Sequence, residues 1–208
     1  MVGNYIRPAQ HGIKAWNQNM EQLISNQFHQ SIEAKIDHVE LLSQPLQDAA
    51  NIITDCLLQE GKLLVCAEGL SDGLANTLAH CMLVGQGLER PGLPTTILSK
   101  TLHDVGDTSD PYSGQISTLA NPQDLLIVLS PGLVSEHLLA AITAAQHQEM
   151  GIVALTAPGH EALSAQLIAS DVELFVNNGN QYRIQEIHML IIFCLCELIE
   201  NNLFGEVN

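Results

Sequence analysis

The chain is short of positive charge. Seven Lys and Arg stand against 23 Asp and Glu in 208 residues, for a formal net charge of -16. A surface this acidic repels nucleic-acid phosphates, so direct binding to DNA or RNA is not expected. A small anion would also approach against the field unless a local pocket overrides it. A basic protein partner would be steered in. Long apolar runs are missing too. The opening residues, MVGNYIRPAQHGIKAW, lack the apolar core of a signal peptide. No run approaches the roughly 18 apolar residues of a membrane span. The longest, near Met189–Cys196, reads as a buried helix. The five cysteines, Cys56, Cys66, Cys81, Cys194 and Cys196, are an odd number in apolar surroundings, which predicts reduced thiols in a cytoplasm. Cys194 and Cys196 are two apart on one helix, point to different faces and make a poor metal pair.

Apolar residues make up 46% of the chain, enough for a globular domain with a sizeable core. Residues 1–19 are polar, carry Pro8 and Gly12, and read as a loosely attached extension to a domain over 20–208. Met20, Ile24, Phe28, Ile32, Ile36 and Val39 then recur at helical spacing as one stripe of a long amphipathic helix. Pro45 is expected to end it, with a second helix from about Leu46 to Gln59.

From there strands and helices alternate. KLLVCA (62–67), PTTIL (94–98), DLLIVLS (124–130), GIVALTA (151–157) and DVELFV (171–176) read as five strands. Helices are expected over Ser71–Val84, Val134–Gln148 and Glu161–Ile168. The segment from Ser99 to Gln123 is expected to be a loop with one short helix. Apolar strands joined by helices predict an α/β fold with a parallel sheet covered on both faces, a three-layer sandwich. The closing segment 182–204 is apolar on more than one face, so it must be buried on several sides. In a chain this short the first and last helices are expected to build an oligomer interface.

In such folds ligands bind beyond the carboxyl ends of the strands, near a topological switch point. Two strand ends offer hydroxyls before a helix: Ser71 in CAEGLS, and Ser130 and Ser135 in SPGLVS. Together they could hold one phosphate on two helix N-termini. The alternative is that Ser71 is a helix cap, and Ser130 and Ser135 are turn and cap residues.

KLLVCAEGLSDGLANTLAHCM resembles the first strand, loop and helix of the sugar isomerase (SIS) domain in its phosphoheptose isomerase branch. DLLIVLSPGLVSEHLLAAITAAQHQEMGIVALT and YRIQEIHMLIIFCLCELIENNLF resemble that branch's second phosphate loop and its last helix. The resemblance covers about residues 20–204 and implies a flavodoxin-like sandwich with a five-stranded parallel sheet. The last segment is most similar to non-isomerase members of the branch, homotetramers that bind the replication initiator DnaA and promote its assembly at the origin.

Departures from the isomerase pattern weigh on mechanism. Glu68 stands where the isomerases place a substrate-binding Asn, and a carboxylate there repels a phosphosugar. Thr77 and Cys81 stand where the pattern has His and Glu, serving as metal ligand and catalytic groups, with His80 about 100° away around the helix. Pro131 removes a backbone donor from the second loop. Tyr182 replaces an Asp and Phe193 a His, while Gln185 remains. Isomerisation needs a base beside a carbonyl and an acid to return the proton, and Phe carries none. A metal needs at least three protein ligands, and of the aligned set Gln185 alone survives. The expectation is therefore a non-catalytic homotetrameric scaffold for the N-terminal domain of DnaA, with no cofactor, no metal, and a vestigial sugar-phosphate pocket of Ser71, Ser130, Ser135 and Gln185. Leu203 and Phe204, beside the helix-ending Gly205, are the residues the resemblance implicates in holding DnaA. The alternative is an isomerase of sedoheptulose phosphate, or a phosphosugar-sensing module. His188, one turn from Gln185, reads as a core histidine or a ligand. Glu186 reads as solvated or paired across subunits. Arg90 reads as a surface pair or an anchor for a carboxylate of another subunit or partner.

Overall fold

A computed structural model of the chain describes residues 13–85, 89–100, 110–130 and 135–205, with the side chains of 13–18 left aside. Eleven elements follow in chain order: α1 Ile13–Leu58, β1 Leu63–Ala67, α2 Ser71–Val84, β2 Thr95–Ile97, α3 Ser113–Leu119, β3 Leu125–Leu129, α4 Glu136–His147, β4 Gly151–Thr156, α5 Glu161–Ser164, β5 Val172–Phe175 and α6 Gln181–Phe204. All five strands are parallel, in the order β2-β1-β3-β4-β5. The chain moves outward from β1 to β2 and then crosses to β3 on the other side, so the switch point lies between β1 and β3.

The pleat sorts the apolar strands between two cores. Leu63, Val65, Ala67, Leu125, Ile127, Leu129, Val153 and Leu155 face α1, α2 and α6. Leu64, Cys66, Leu126, Val128, Ile152 and Ala154 face α3, α4 and α5. This period of two explains why β1, β3 and β4 read as continuous apolar runs: both faces are covered. The amino ends of β1 and β3 are tied together by Asp124, whose carboxylate accepts from the Lys62 backbone N–H (2.9 Å), Lys62 Nζ (2.5 Å) and the Asn121 N–H (2.8 Å).

The long N-terminal helix corrects one expectation. Pro45 does not divide it; α1 is continuous through the proline. Proline removes one helical hydrogen bond, at a cost of about 3 kcal/mol. The carbonyl left without its donor belongs to Leu41, on the solvent side of the helix, while Leu42, Ala49, Ala50 and Ile53 bury the other side of both halves. Packing on each side of the proline thus outweighs the lost bond. The predicted stripe also lies elsewhere than on the chain's own core: Met20, Ile24, Phe28, Ile32, Ile36 and Val39 are all exposed.

The last helix, α6, is long and apolar enough by length and composition to cross a membrane, which the shorter run noted in the sequence did not suggest. In the fold, Ile184, Ile187, Ile191, Leu195 and Ile199 lie in the core against α1 and α2. Its first turn is tied to α1 by polar contacts: Glu186 accepts from Ser31 Oγ (2.6 Å) and from Arg183, and Arg183 also donates to Gln27 (2.5 Å). Glu186 is therefore paired within the chain. Burial opposes its charge, but the hydrogen bonds from Ser31 and Arg183 and the charges of Arg183 and Lys35 hold its carboxyl below the usual carboxylate range.

Candidate functional site: two loops at the sheet's switch point

The loop after β1 turns sharply into α2. Gly69 sits at φ 59°, a left-handed conformation that side-chain-bearing residues rarely adopt. Ser71 is the first residue of α2 and not its cap: Leu70 holds the capping position, without a side-chain cap bond. The Ser71 N–H donates to Glu68 O (3.1 Å), while its hydroxyl is fully buried and makes no hydrogen bond among the described residues. The expectation that Ser71 caps the helix is corrected, because a residue already inside the first turn cannot reach back over its own N–H groups. Tyr112, buried on α3's side, donates from its hydroxyl to Ala67 O (2.8 Å) and fixes the end of β1.

The loop after β3 begins at Ser130 and rejoins the described residues at Ser135. Residues 131–134, including Pro131, lie outside them. Ser135 caps α4, its hydroxyl accepting from the Leu138 N–H at 3.2 Å. A capping hydroxyl still has its own proton to donate. Glu68 and His137 bridge the two loops, with Nδ1 of the histidine 3.2 Å from a carboxylate oxygen.

A third group stands at the end of β4. His160 Nδ1 accepts from the Ala157 N–H (2.8 Å), and its Nε2 lies 3.3 Å from Ser130 Oγ. His188 lies on α6, fully buried, with Nε2 donating to Thr156 O at 3.2 Å and Nδ1 without a partner among the described residues. The carbonyl oxygen can only accept, so the proton of neutral His188 is on Nε2. One turn earlier, the buried Nε2 of Gln185 also lacks a partner among the described residues. Buried polar atoms are nearly always paired; Ser71, Gln185 and His188 each keep one without a partner among the described residues, as do His38, Gln166 and Arg183.

Burial lowers the pKa of both histidines and pushes His188 down to about 4. An unfolded His188, ordinary value 6.5, then takes up a proton that the folded one refuses between about pH 6.5 and 4. Its contribution is present in full above about pH 6.5 and lost as the pH falls toward about 4, for a total of about 3 kcal/mol. We expect the unfolding free energy of His188→Gln to be flatter across that window in denaturant titrations. An unchanged acid limb would exclude His188 as its source.

The positions aligned with the isomerase acid, base and metal ligands do not form a metal site. The Thr77 hydroxyl donates to Gly73 O (3.0 Å), the Cys81 thiol is in the core, and Phe193, 42% exposed on α6, offers no donor atom. Among the described residues no group of three His, Cys, Asp or Glu could hold a metal ion. The residues present therefore do not fit the metal that the resemblance implies, and no step below runs through one. The thiols of Cys66 and Cys196 are raised by burial, Cys196 to about 12, so neither is a nucleophile.

Arg90 and the end of α6 also take definite places. Arg90 pairs with Glu200 of the same chain, neither on the surface nor across subunits. Leu203 packs against the core; Phe204 is half-exposed, with the Arg90 guanidinium 6.0 Å from its ring centroid.

The architecture is a three-layer α/β sandwich with hydroxyl-bearing loops at its switch point, and known proteins share it. The SIS domain family matches residues 27–157. The phosphoheptose isomerase of Shewanella denitrificans is 36% identical over 193 residues, 90% of this chain and 98% of the relative. That of Methylococcus capsulatus is 34% identical over 194 residues, 90% and 100% of the two chains. The structure of a phosphoheptose isomerase from Francisella tularensis superposes with a TM-score of 0.81 at 32% identity, covering 88% of this chain and 98% of that one. The chain belongs to the SIS-domain family, in its phosphoheptose isomerase branch.

These relatives correct the expectation of a non-catalytic scaffold for DnaA. They are phosphoheptose isomerases, and this chain matches nearly their whole length. The replacements at Thr77, Cys81 and Phe193 remove one arrangement of acid, base and metal. They do not remove proton transfer by other groups at the same strand ends, of which Glu68, His137, His160 and His188 are present.

Proposed function

We propose that the chain is a sugar-phosphate isomerase interconverting the ketose and aldose forms of a seven-carbon phosphosugar of the sedoheptulose 7-phosphate kind. The observation that carries this is the unpartnered buried hydroxyl of Ser71 beside Ser130 and Ser135 at the switch point, with the unpartnered Gln185 amide on α6. The phosphate rests on these hydroxyls and on the N-termini of α2 and α4, donors that offset the repulsive field of the acidic surface. The relatives' activity supports the substrate class.

Isomerisation moves one proton from the carbon beside the carbonyl to the carbonyl carbon, through an enediol, and shifts a second between the two oxygens. No atom is gained or lost, so one carboxylate can take the carbon-bound proton and return it. Glu68 has that role here. Asp72, the nearby carboxylate on α2, is engaged by Lys100 Nζ at 2.5 Å. His137 holds the Glu68 carboxylate in place across the loops.

The direct test is incubation of the purified protein with sedoheptulose 7-phosphate, followed by NMR of the sugar carbons, beside calorimetry of binding. Turnover supports the reading. Saturable binding without turnover would overturn the enzymatic part, and no binding would overturn all of it.

The assembly and compartment belong to the same proposal. The exposed stripe of α1 and the exposed Leu190 and Phe193 of α6 support a homotetramer in which copies cover these faces. Asp in place of both Phe28 and Ile36 is expected to shift the mass seen in light scattering to a smaller species with unchanged helical circular dichroism. An unshifted mass would place the interface elsewhere. Five free thiols support a reducing, cytoplasmic setting.

A further inference from the structure

Ser130 and His160 are each 1% exposed, at the ends of the neighbouring strands β3 and β4, and nothing in the mechanism above uses the histidine. Its tautomer follows from its partners. A backbone N–H can only donate, so the contact from Ala157 at 2.8 Å requires a bare Nδ1. Burial lowers the pKa of His160, in keeping with the neutral ring that this contact requires. The single ring proton is then on Nε2, which faces Ser130 Oγ at 3.3 Å. The serine oxygen accepts that proton, and no described residue accepts the serine's own.

We infer that His160 is a positioning residue: by donating to Ser130 Oγ it directs the serine's hydroxyl proton outward, to an anionic oxygen held beyond the carboxyl ends of β1 and β3. With the opposite tautomer Ser130 would donate to the ring and turn a lone pair toward the anion, which repels it. One buried hydrogen bond thus decides whether Ser130 attracts or opposes a phosphate. The inference rests on the phosphosugar reading proposed above.

His160→Asn is the informative variant. Its side-chain oxygen can still accept from the Ala157 N–H, but its amide is too short to reach Ser130. The affinities for sedoheptulose 7-phosphate and for inorganic phosphate are measured by calorimetry on the full chain, for His160→Asn, Ser130→Ala and the double variant. His160→Asn is expected to weaken binding about tenfold, the size of one net hydrogen bond. The same change on the Ser130→Ala background is expected to cost nothing further. Equal losses on both backgrounds would overturn the inference, because a merely structural histidine acts without the serine. Nitrogen-15 NMR of the imidazole in the ligand-free protein reads the tautomer independently. A protonated Nε2 beside a bare Nδ1 supports the inference, and a protonated Nδ1 overturns it while leaving the phosphosugar reading intact. Failure of the unaltered protein to bind either phosphate would overturn both.

Discussion

Glu68→Gln is expected to lower kcat for sedoheptulose 7-phosphate by about 10²–10⁴-fold, the usual worth of a positioned general base. KM should stay the same or fall. The sequence comparison makes Glu68 a liability, since a carboxylate near the phosphate loops repels the substrate. Its pairing with His137 at 3.2 Å changes that balance: a histidine beside the carboxylate shares its hydrogen-bonding and fixes its direction. Removing the negative charge should therefore relieve repulsion of the ground state while deleting the proton acceptor. Steady-state kinetics separate the two effects, because a base acts on kcat and simple repulsion acts on KM. A gain in affinity with kcat unchanged would take Glu68 out of the chemistry and leave it as a brake on binding. His137→Gln should give a smaller loss of kcat, since Gln can still donate to the carboxylate.

The elements most legible in the sequence are those whose signal is local. Runs of apolar residues marked β1, β3 and β4 because both faces of those strands are covered, and α2 begins and ends where a glycine loop and helical spacing put it. The serines at the switch point were visible for the same reason: strand, loop and helix are consecutive. What was illegible depends on distant partners. Pro45 could not be read as internal to α1, because the residues that hold the helix on each side of it pack on the sheet and α6. Ser71 looked like a cap, and only the turn at Gly69 places it one residue inside the helix. The stripe from Met20 to Val39 was read correctly as helical, but periodicity does not say which surface covers it. His160 carried a faint signal, a histidine three residues past a strand end with Pro158 and Gly159 between, able to accept from a turn N–H. Its link to Ser130 crosses between strands and has no sequence signature. Arg90 sat unresolved among seven cations because its carboxylate, Glu200, is 110 residues away.

That pair carries the largest expected stability effect. The Arg90 side chain is 1% exposed and the Glu200 side chain 8%. Nε and Nη2 of the arginine each lie 2.8 Å from Glu200 Oε1. The remaining donors reach Met82 O, Cys81 O and Pro91 O, each at 2.9 Å, so the guanidinium also ties down the C-terminal end of α2. Arg90→Ala removes all of this at once and leaves a buried carboxylate without its counter-charge. We expect a loss of about 3–5 kcal/mol in unfolding free energy, measured by denaturant titration. Adding Glu200→Gln should recover part of that loss by deleting the buried charge, but not the part that belongs to the helix end. Arg90→Lys keeps the charge without the planar fork and should fall between the two. A loss below about 1 kcal/mol, the range of surface pairs, would mean that water replaces the guanidinium at the end of α2. Because α2 starts at Ser71 and its last turn is held by the Arg90 guanidinium, loosening that far end is also expected to blunt phosphosugar affinity, which would tie the stability of the fold directly to the site at the switch point.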